Sequence, residues 1–510
     1  MSETTPAPKA ETKPDPEAEK RQREAVEALL KRPAVIKPGA VTLADGTRLE
    51  YELKADFVPI TRGGVGAQRG EPDAAVLCLA YQAKTESPRP LCFAFNGGPG
   101  SASVWLHLGA LGPKRVAIHD DGTMPPPPYA VQDNPLTWLE HFDLVFIDPP
   151  HTGYSLAVGD EARKRLFSVD GDAEALAEAV RVWLARHRRF GSALYLAGES
   201  YGTTRGAAIA DRLHEAGVAL AGLIFVSCAI DLQTLVFAPG HDLPYALFVP
   251  GFANAAQYHG KLAGPLAKSG AAARAAAEAF VAEEYLGALH AGARLDGRAR
   301  QRVEKRLAEL TGLPRALVAE KNLRIADQTF FFELLRDQGR IVGRLEARVT
   351  GPMAASRTRD WEFDPGIESL NAPYTMAAMA YFDELGLGGD ARYEVLNLEV
   401  NKGWNWNRGE AKGNSFACTS PDLARALRRN PHLRVWVASG RYDLGTPYSA
   451  TDWSLAQLDA PADVLQRVTH RYYDAGHMMY TRSADLQQMK ADLAGWLNRP
   501  LLPRAGEGGG

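Results

Sequence analysis

The chain has 510 residues, of which 45% are hydrophobic and 23% charged, and its formal net charge is −3. That length exceeds one minimal core and predicts either one large domain carrying an insertion or two to three domains. The charge balance offers nucleic acid no footprint, basic runs such as Arg186-His187-Arg188-Arg189 read as solvated helix ends, and no apolar stretch reaches the about 18 residues that span a bilayer.

Residues 1–25, rich in Pro, Glu, Lys, Ala and Thr, read as a disordered tail and lack the apolar core of a signal peptide. As it stands the chain reads as cytoplasmic, with a periplasmic or secreted location left open. A short helix is expected at 24–31. The segments 47–58, 74–83 and 91–95, bounded by Gly, Pro and Asp, read as consecutive strands of an antiparallel meander. Further strands are expected at 114–118, 144–148, 193–197 and 222–227, with helical stretches between the last three. Such alternation predicts an α/β protein with a mostly parallel central sheet covered on both faces.

The pattern breaks over 236–430. Alanine-, arginine- and glutamate-rich stretches such as 271–285 and 298–310 read there as amphipathic helices of an inserted cap. Strand signals return at 434–438 and 470–474, a helix is expected at 483–497, and 501–510 are expected to form a flexible tail. The expected organisation is a core in two parts, 26–235 and 431–500, around the cap. Of the four cysteines, Cys78, Cys92 and Cys228 sit in apolar runs that suit buried free thiols; a Cys78–Cys92 bridge stays open, and no spacing suggests a zinc site.

Gly198-Glu199-Ser200-Tyr201-Gly202 carries the most chemistry. An apolar run precedes it and a helix ending near Gly217 follows, which is the strand–turn–helix setting of a nucleophile elbow. A serine hydroxyl needs a base to take its proton and a carboxylate to orient that base. In the fold an elbow implies, these follow in the order Ser, Asp or Glu, His. Asp443 and His477 each leave a late strand through a glycine-containing turn, whereas Asp452 falls in an expected helix and His470 in an expected strand. The loop Asn96-Gly97-Gly98-Pro99-Gly100-Ser101 leaves an earlier strand. Its Gly98 amide and the Tyr201 amide suit an oxyanion hole, since Pro99 has no N–H. The spacing and lysine of a phosphate-binding loop are missing.

These blocks, with Phe146-Ile147-Asp148-Pro149-Pro150 leading to Gly153-Tyr154-Ser155 and with Gly476-His477-Met478, resemble the serine carboxypeptidase family of the α/β-hydrolase fold, in a bacterial-type member. The resemblance runs over about residues 40–500. It implies cofactor- and metal-independent removal of single residues from peptide carboxyl termini, with peptide as the partner and neither nucleic acid nor membrane. It assigns Ser200 as nucleophile, His477 as general base and acid, Asp443 as orienting carboxylate, and Gly98 and Tyr201 as oxyanion donors. Asn96 and Glu199 match positions that hydrogen-bond the substrate's terminal carboxylate.

Two positions depart from the family pattern. Ala110 stands where a second glutamate usually shares a proton with Glu199, and Ala94 where a tryptophan is usual. Without that partner Glu199 is expected to ionise more easily and to repel a terminal carboxylate near neutral pH. Arg205 is the nearby cation able to compensate, with a structural pairing as the alternative. Trp404 and Trp406 are expected to pack in the core or a loop, with a pocket wall as the alternative. An esterase or acyltransferase on the same scaffold, and a peptide-binding protein with a dead site, are the rival readings. Should Glu199 need its proton, kcat/KM is expected to rise as pH falls, until His477 protonation opposes it.

Overall fold

A computed structural model describes residues 16–61, 70–408 and 416–499. The chain builds one ten-stranded sheet. Its strands are β1 (Val35–Thr42), β2 (Arg48–Thr61), β3 (Pro72–Ala83), β4 (Leu91–Phe95), β5 (Asp143–Ile147), β6 (Leu194–Glu199), β7 (Gly222–Val226), β8 (Arg434–Gly440) and β9 (Val468–Tyr473), with Leu156–Ala157 added beside β3. Their spatial order is β1-β2-β3-β5-β4-β6-β7-β8-β9.

The first three strands and β5 pair antiparallel, and every pairing from β5 through β9 is parallel. β4, β5 and β7 are buried at every position, which is why Leu-Cys-Phe-Ala-Phe, Asp-Leu-Val-Phe-Ile and Gly-Leu-Ile-Phe-Val carry no alternation. Strand β2 alternates over its first half, as a strand with one solvated face does.

Two expectations are corrected. Residues 91–95 form a strand as expected, but it lies in the parallel half between β5 and β6, not in the meander. The apolar run has no wet face, and this favours a central position over an edge. Residues 114–116 pair antiparallel with 131–133 in a separate ribbon and take no part in the main sheet. Strand β1 was not expected from the sequence. Lys37-Pro38-Gly39 interrupts it, and the strand survives because it is an edge, where a proline costs no central ladder bond. The first helix, α1 (Pro16–Lys31), begins earlier than expected, and the terminal tails before it and after 499 lie outside the described residues.

Helices α2 (Val169–His187) and α3 (Tyr201–Glu215) follow β5 and β6. Within the cap, residues 246–347 close their own apolar cluster, joined by Tyr442 and Leu444 from the loop after β8, with Phe252 stacked on Phe330 at 4.2 Å. Helix α4 (Pro365–Leu385) packs instead into the main core, Tyr374 lying 4.8 Å from Trp105 between ring centres. Helix α5 (Ser483–Leu497) has the bounds the sequence implied. All four cysteines are free thiols.

Candidate active site

Parallel pairing brings several strand ends to one edge. Phe95 of β4 lies opposite Gly198 of β6, Glu199 opposite Val226, Val226 opposite Ala438, and Gly440 opposite Tyr473. The loops carrying Asn96, Ser200, Asp443 and His477 therefore all leave the same carboxyl edge, where open α/β sheets bind ligands.

Ser200 sits at φ 59°, ψ −129°, between the last residue of β6 and the first of α3. A non-glycine residue there costs about 1–3 kcal/mol, which the packing around it must hold. The turn is possible because a Cβ on Gly198 would come 2.3 Å from the Gly202 carbonyl oxygen. The glycine-rich loop presses equally close from the other side, since a Cβ on Gly97 would lie 2.5 Å from the Tyr201 nitrogen. Gly98, at φ +100°, is exposed amid buried neighbours. Neither its amide nor that of Tyr201 donates to a protein acceptor among the described residues.

The loop is fixed from outside. Asn397 N–H donates to the Gly100 carbonyl at 2.7 Å, Asn401 Nδ2 to the Pro99 carbonyl at 3.1 Å, and Asp148 accepts from the Ser103 amide at 2.8 Å. Asp148 of the Phe-Ile-Asp-Pro-Pro block is thus a brace, also accepting from Tyr393 Oη.

His477 Nδ1 and Asp443 Oδ2 are 2.7 Å apart, with the carboxylate fully buried. Asp443 also accepts from the amides of Gly445 and Thr446 and from the Thr446 hydroxyl. Burial pushes the Asp443 pKa up, but the His477 charge and these hydrogen bonds outweigh it and leave the group below the usual carboxylate range. Burial likewise pulls His477 down, and the Asp443 carboxylate, with Glu199 behind it, more than reverses this. Ser200 and His477 line one cavity of about 270 Å³ with Asn96, Gly98 and Glu199. Ser200 Oγ makes no hydrogen bond among the described residues, and such bonds commonly tighten only once substrate fills a site.

Glu199 departs from its expectation. Burial raises its pKa from 4.5 to about 7, against the opposing pull of the His477 charge and of hydrogen bonding with Tyr480 and Asn96. It therefore holds its proton more firmly than an isolated carboxyl, not less. Tyr480, three residues beyond His477, donates its hydroxyl to Glu199 Oε2 at 2.7 Å. Its ring stands against the turn that contains Ala110, where a Cβ on Gly109 would come 2.4 Å from it. Desolvation, working against the Tyr480 hydrogen bond, keeps the proton on Glu199 without a second carboxylate.

Arg205 is fully buried and bonds Asp172 Oδ2 at 2.7 Å, so it is a structural pair. Trp404 is buried and Trp406 half exposed, and both pack edge-on to Tyr201, 5.3 and 5.7 Å between ring centres. Tyr480 and Arg344, which also lines the cavity, were not identified from the sequence.

A mostly parallel sheet in this strand order, with the serine on a strand–helix elbow and the acid and imidazole on later loops, defines a protein of the α/β-hydrolase fold. Within that class, the serine carboxypeptidase family model matches residues 77–233, a stretch holding the glycine-rich loop and the elbow but ending before Asp443 and His477. Serine carboxypeptidase-like 5 of Arabidopsis thaliana is 27% identical over 158 residues, 30% of this chain and 33% of that protein. Serine carboxypeptidase-like 33 of the same plant is 30% identical over 129 residues, 24% of each. The chain thus spans at most about a third of the length of these relatives, and, both being from a plant, they lend no support to a bacterial type. A crystal structure of proline iminopeptidase from Mycobacterium smegmatis overlaps 90% of this chain and 97% of its own at 12% identity, with a TM-score of 0.33, too loose to carry function.

Proposed function

We propose that the protein is a serine-type carboxypeptidase that releases carboxyl-terminal residues through an acyl-enzyme. Ser200 Oγ attacks the terminal peptide carbonyl while His477 takes its proton. The oxyanion is received by the Gly98 and Tyr201 amides, and His477 returns the proton to the departing amine. Water, activated by the same imidazole, then frees the shortened peptide and restores the hydroxyl. Asp443 holds the imidazole and stabilises its charged form.

One observation carries the exopeptidase reading: the Asn96–Glu199–Tyr480 cluster beside Ser200, in which burial keeps the Glu199 carboxyl protonated up to about pH 7. With Tyr480 bonded to Oε2, a protonated Glu199 has an O–H to give to a substrate carboxylate.

A second reading, ester hydrolysis or acyl transfer, is favoured by Ala110, fully buried and apolar where a carboxylate partner would stand. Digesting a peptide mixture and the same peptides as carboxyl-terminal amides separates the two. Stepwise loss of terminal residues from the free acids alone supports the carboxypeptidase. Indifference to both, with turnover of esters, overturns it.

A further inference from the structure

Residues 344–347 of the cap are stitched between the two loops that bear Asp443 and His477. Leu444 N–H donates to the Arg344 carbonyl at 2.9 Å, His477 N–H to the Leu345 carbonyl at 2.7 Å, and Ala347 N–H to the Tyr442 carbonyl at 3.0 Å. The amides of Arg344 and Leu345 are held in turn by the Asp364 carboxylate. The backbone of Arg344 is therefore pinned at the rim of the cavity, and its side chain is exposed. It forms no ion pair among the described residues, where most arginines of the cap do. Its guanidinium lies over Gly445, where an added Cβ would come 3.4 Å from the guanidinium carbon.

The other acid of the cavity wall besides Glu199 is Asp364. It is buried and already accepts three backbone amides, those of Arg344, Leu345 and Gly366. Arg344 thus brings to the cavity that holds Ser200 a guanidinium with no ion pair among the described residues. It acts on His477, Asp364 and Asp327, whereas the principal charges acting on Glu199 are His477 and Asp443.

We infer that Arg344 is a specificity-determining residue that selects substrates bearing an acidic side chain close to the scissile bond, in addition to the terminal carboxylate. This rests on the carboxypeptidase reading for the identity of the terminal group. A guanidinium presents a planar fork of donors that fits a carboxylate in two-point contact, which an amide of the same shape cannot match in charge.

The test is a set of blocked tetrapeptides with Glu or Gln placed in turn at each of the last three positions. Hydrolysis is followed for the wild type, Arg344→Ala, Arg344→Lys and Arg344→Glu. In the wild type one position should favour Glu over Gln by about fivefold in kcat/KM, less at high salt. That ratio should shrink in Arg344→Lys, fall to about one in Arg344→Ala and invert in Arg344→Glu. Each ratio is internal to one enzyme preparation, so a loss of folded protein does not mimic the result. A wild-type ratio near one at all three positions, or an Arg344→Ala ratio equal to that of the wild type, overturns the assignment. Failure of the underlying reading shows separately, as no cleavage of the Gln peptides by the wild type; the same Glu/Gln comparison in the acyl part of an ester series then decides Arg344.

Discussion

Two Ser–His–Asp constellations lie near each other in this molecule, and that of Ser200 and His477 faces a cavity. His470 bonds Ser439 Oγ through Nε2 at 2.9 Å and Asp452 through Nδ1 at 2.9 Å, a closed chain of hydroxyl, imidazole and carboxylate. By hydrogen bonding alone it is better connected than Ser200, His477 and Asp443. Yet Ser439 lies inside β8, extended and wholly buried, with His470 on the adjacent strand and Asp452 on a half-exposed helix face. Its serine has no turned-out backbone and is sealed from solvent. Ser200 has a positive φ, a cavity in front of it and two free amides beside it. A site is made by backbone that exposes the nucleophile and pre-aims donors, and the trio of side chains comes second.

The comparison breaks most sharply at the serines. Ser200→Ala should lower kcat by about 10⁶-fold with the melting temperature unchanged. Ser439→Ala should leave kcat within about threefold while costing about 1–3 kcal/mol of stability, because a buried imidazole nitrogen loses its partner. Paired rate measurements and thermal unfolding read both. Equal loss of activity in the two variants would erase the distinction. A fluorophosphonate probe, located by peptide mass spectrometry, should label Ser200 and leave Ser439 untouched.

The acids come next. Asp443→Asn should cost about 10⁴-fold in kcat, since the imidazole loses the charge that favours its protonated form. Asp452→Asn, at a half-exposed carboxylate, should change kcat by less than about twofold.

Smaller effects sharpen the electrostatics of the proposed site. For kcat/KM on peptide acids, the base His477 must be neutral and Glu199 protonated. The profile is therefore a narrow bell, with an acid limb from His477, whose pKa is raised above 6.5, and an alkaline limb from Glu199 at about 7. Because the two groups act on each other, the limbs belong to the pair. Glu199→Gln should abolish the alkaline limb. It should also move the acid limb to lower pH, since the Glu199 carboxylate helps to raise His477. Tyr480→Phe removes a hydrogen bond that lowers the Glu199 pKa, so its alkaline limb should shift upward by less than about one pH unit while persisting. An unchanged profile in both variants would mean that Glu199 does not meet the substrate carboxylate.

Much of this was legible in one dimension because it is local. The elbow is five consecutive residues, the glycine-rich loop six, and Asp443 and His477 each follow a late strand by a short glycine turn. The same reasoning set aside Asp452 and His470 because one lies in a helix and the other in a strand, and that is where they are found. The buried strands were readable from their apolar runs, although their neighbours were not: 91–95 was expected in the meander and lies between β5 and β6.

What the sequence determined, then, was the chemistry available: a strained serine turn, two candidate partners in order, a donor loop, and a missing glutamate at Ala110. What only the tertiary structure decided was the environment those groups meet. Removal of the second glutamate points, on local charge counting, to an easily ionised Glu199; burial reverses that, even against the Tyr480 hydrogen bond, because desolvation depends on everything packed around a group and not on its sequence neighbours. Arg344 is one arginine among many in a charged cap, and no local pattern marks it. It becomes part of the cavity because three backbone hydrogen bonds stitch its segment between loops roughly a hundred residues away in the chain. Long-range pairing of that kind is set by the fold as a whole, which is why the ionisation of Glu199 and the place of Arg344 emerged only in three dimensions.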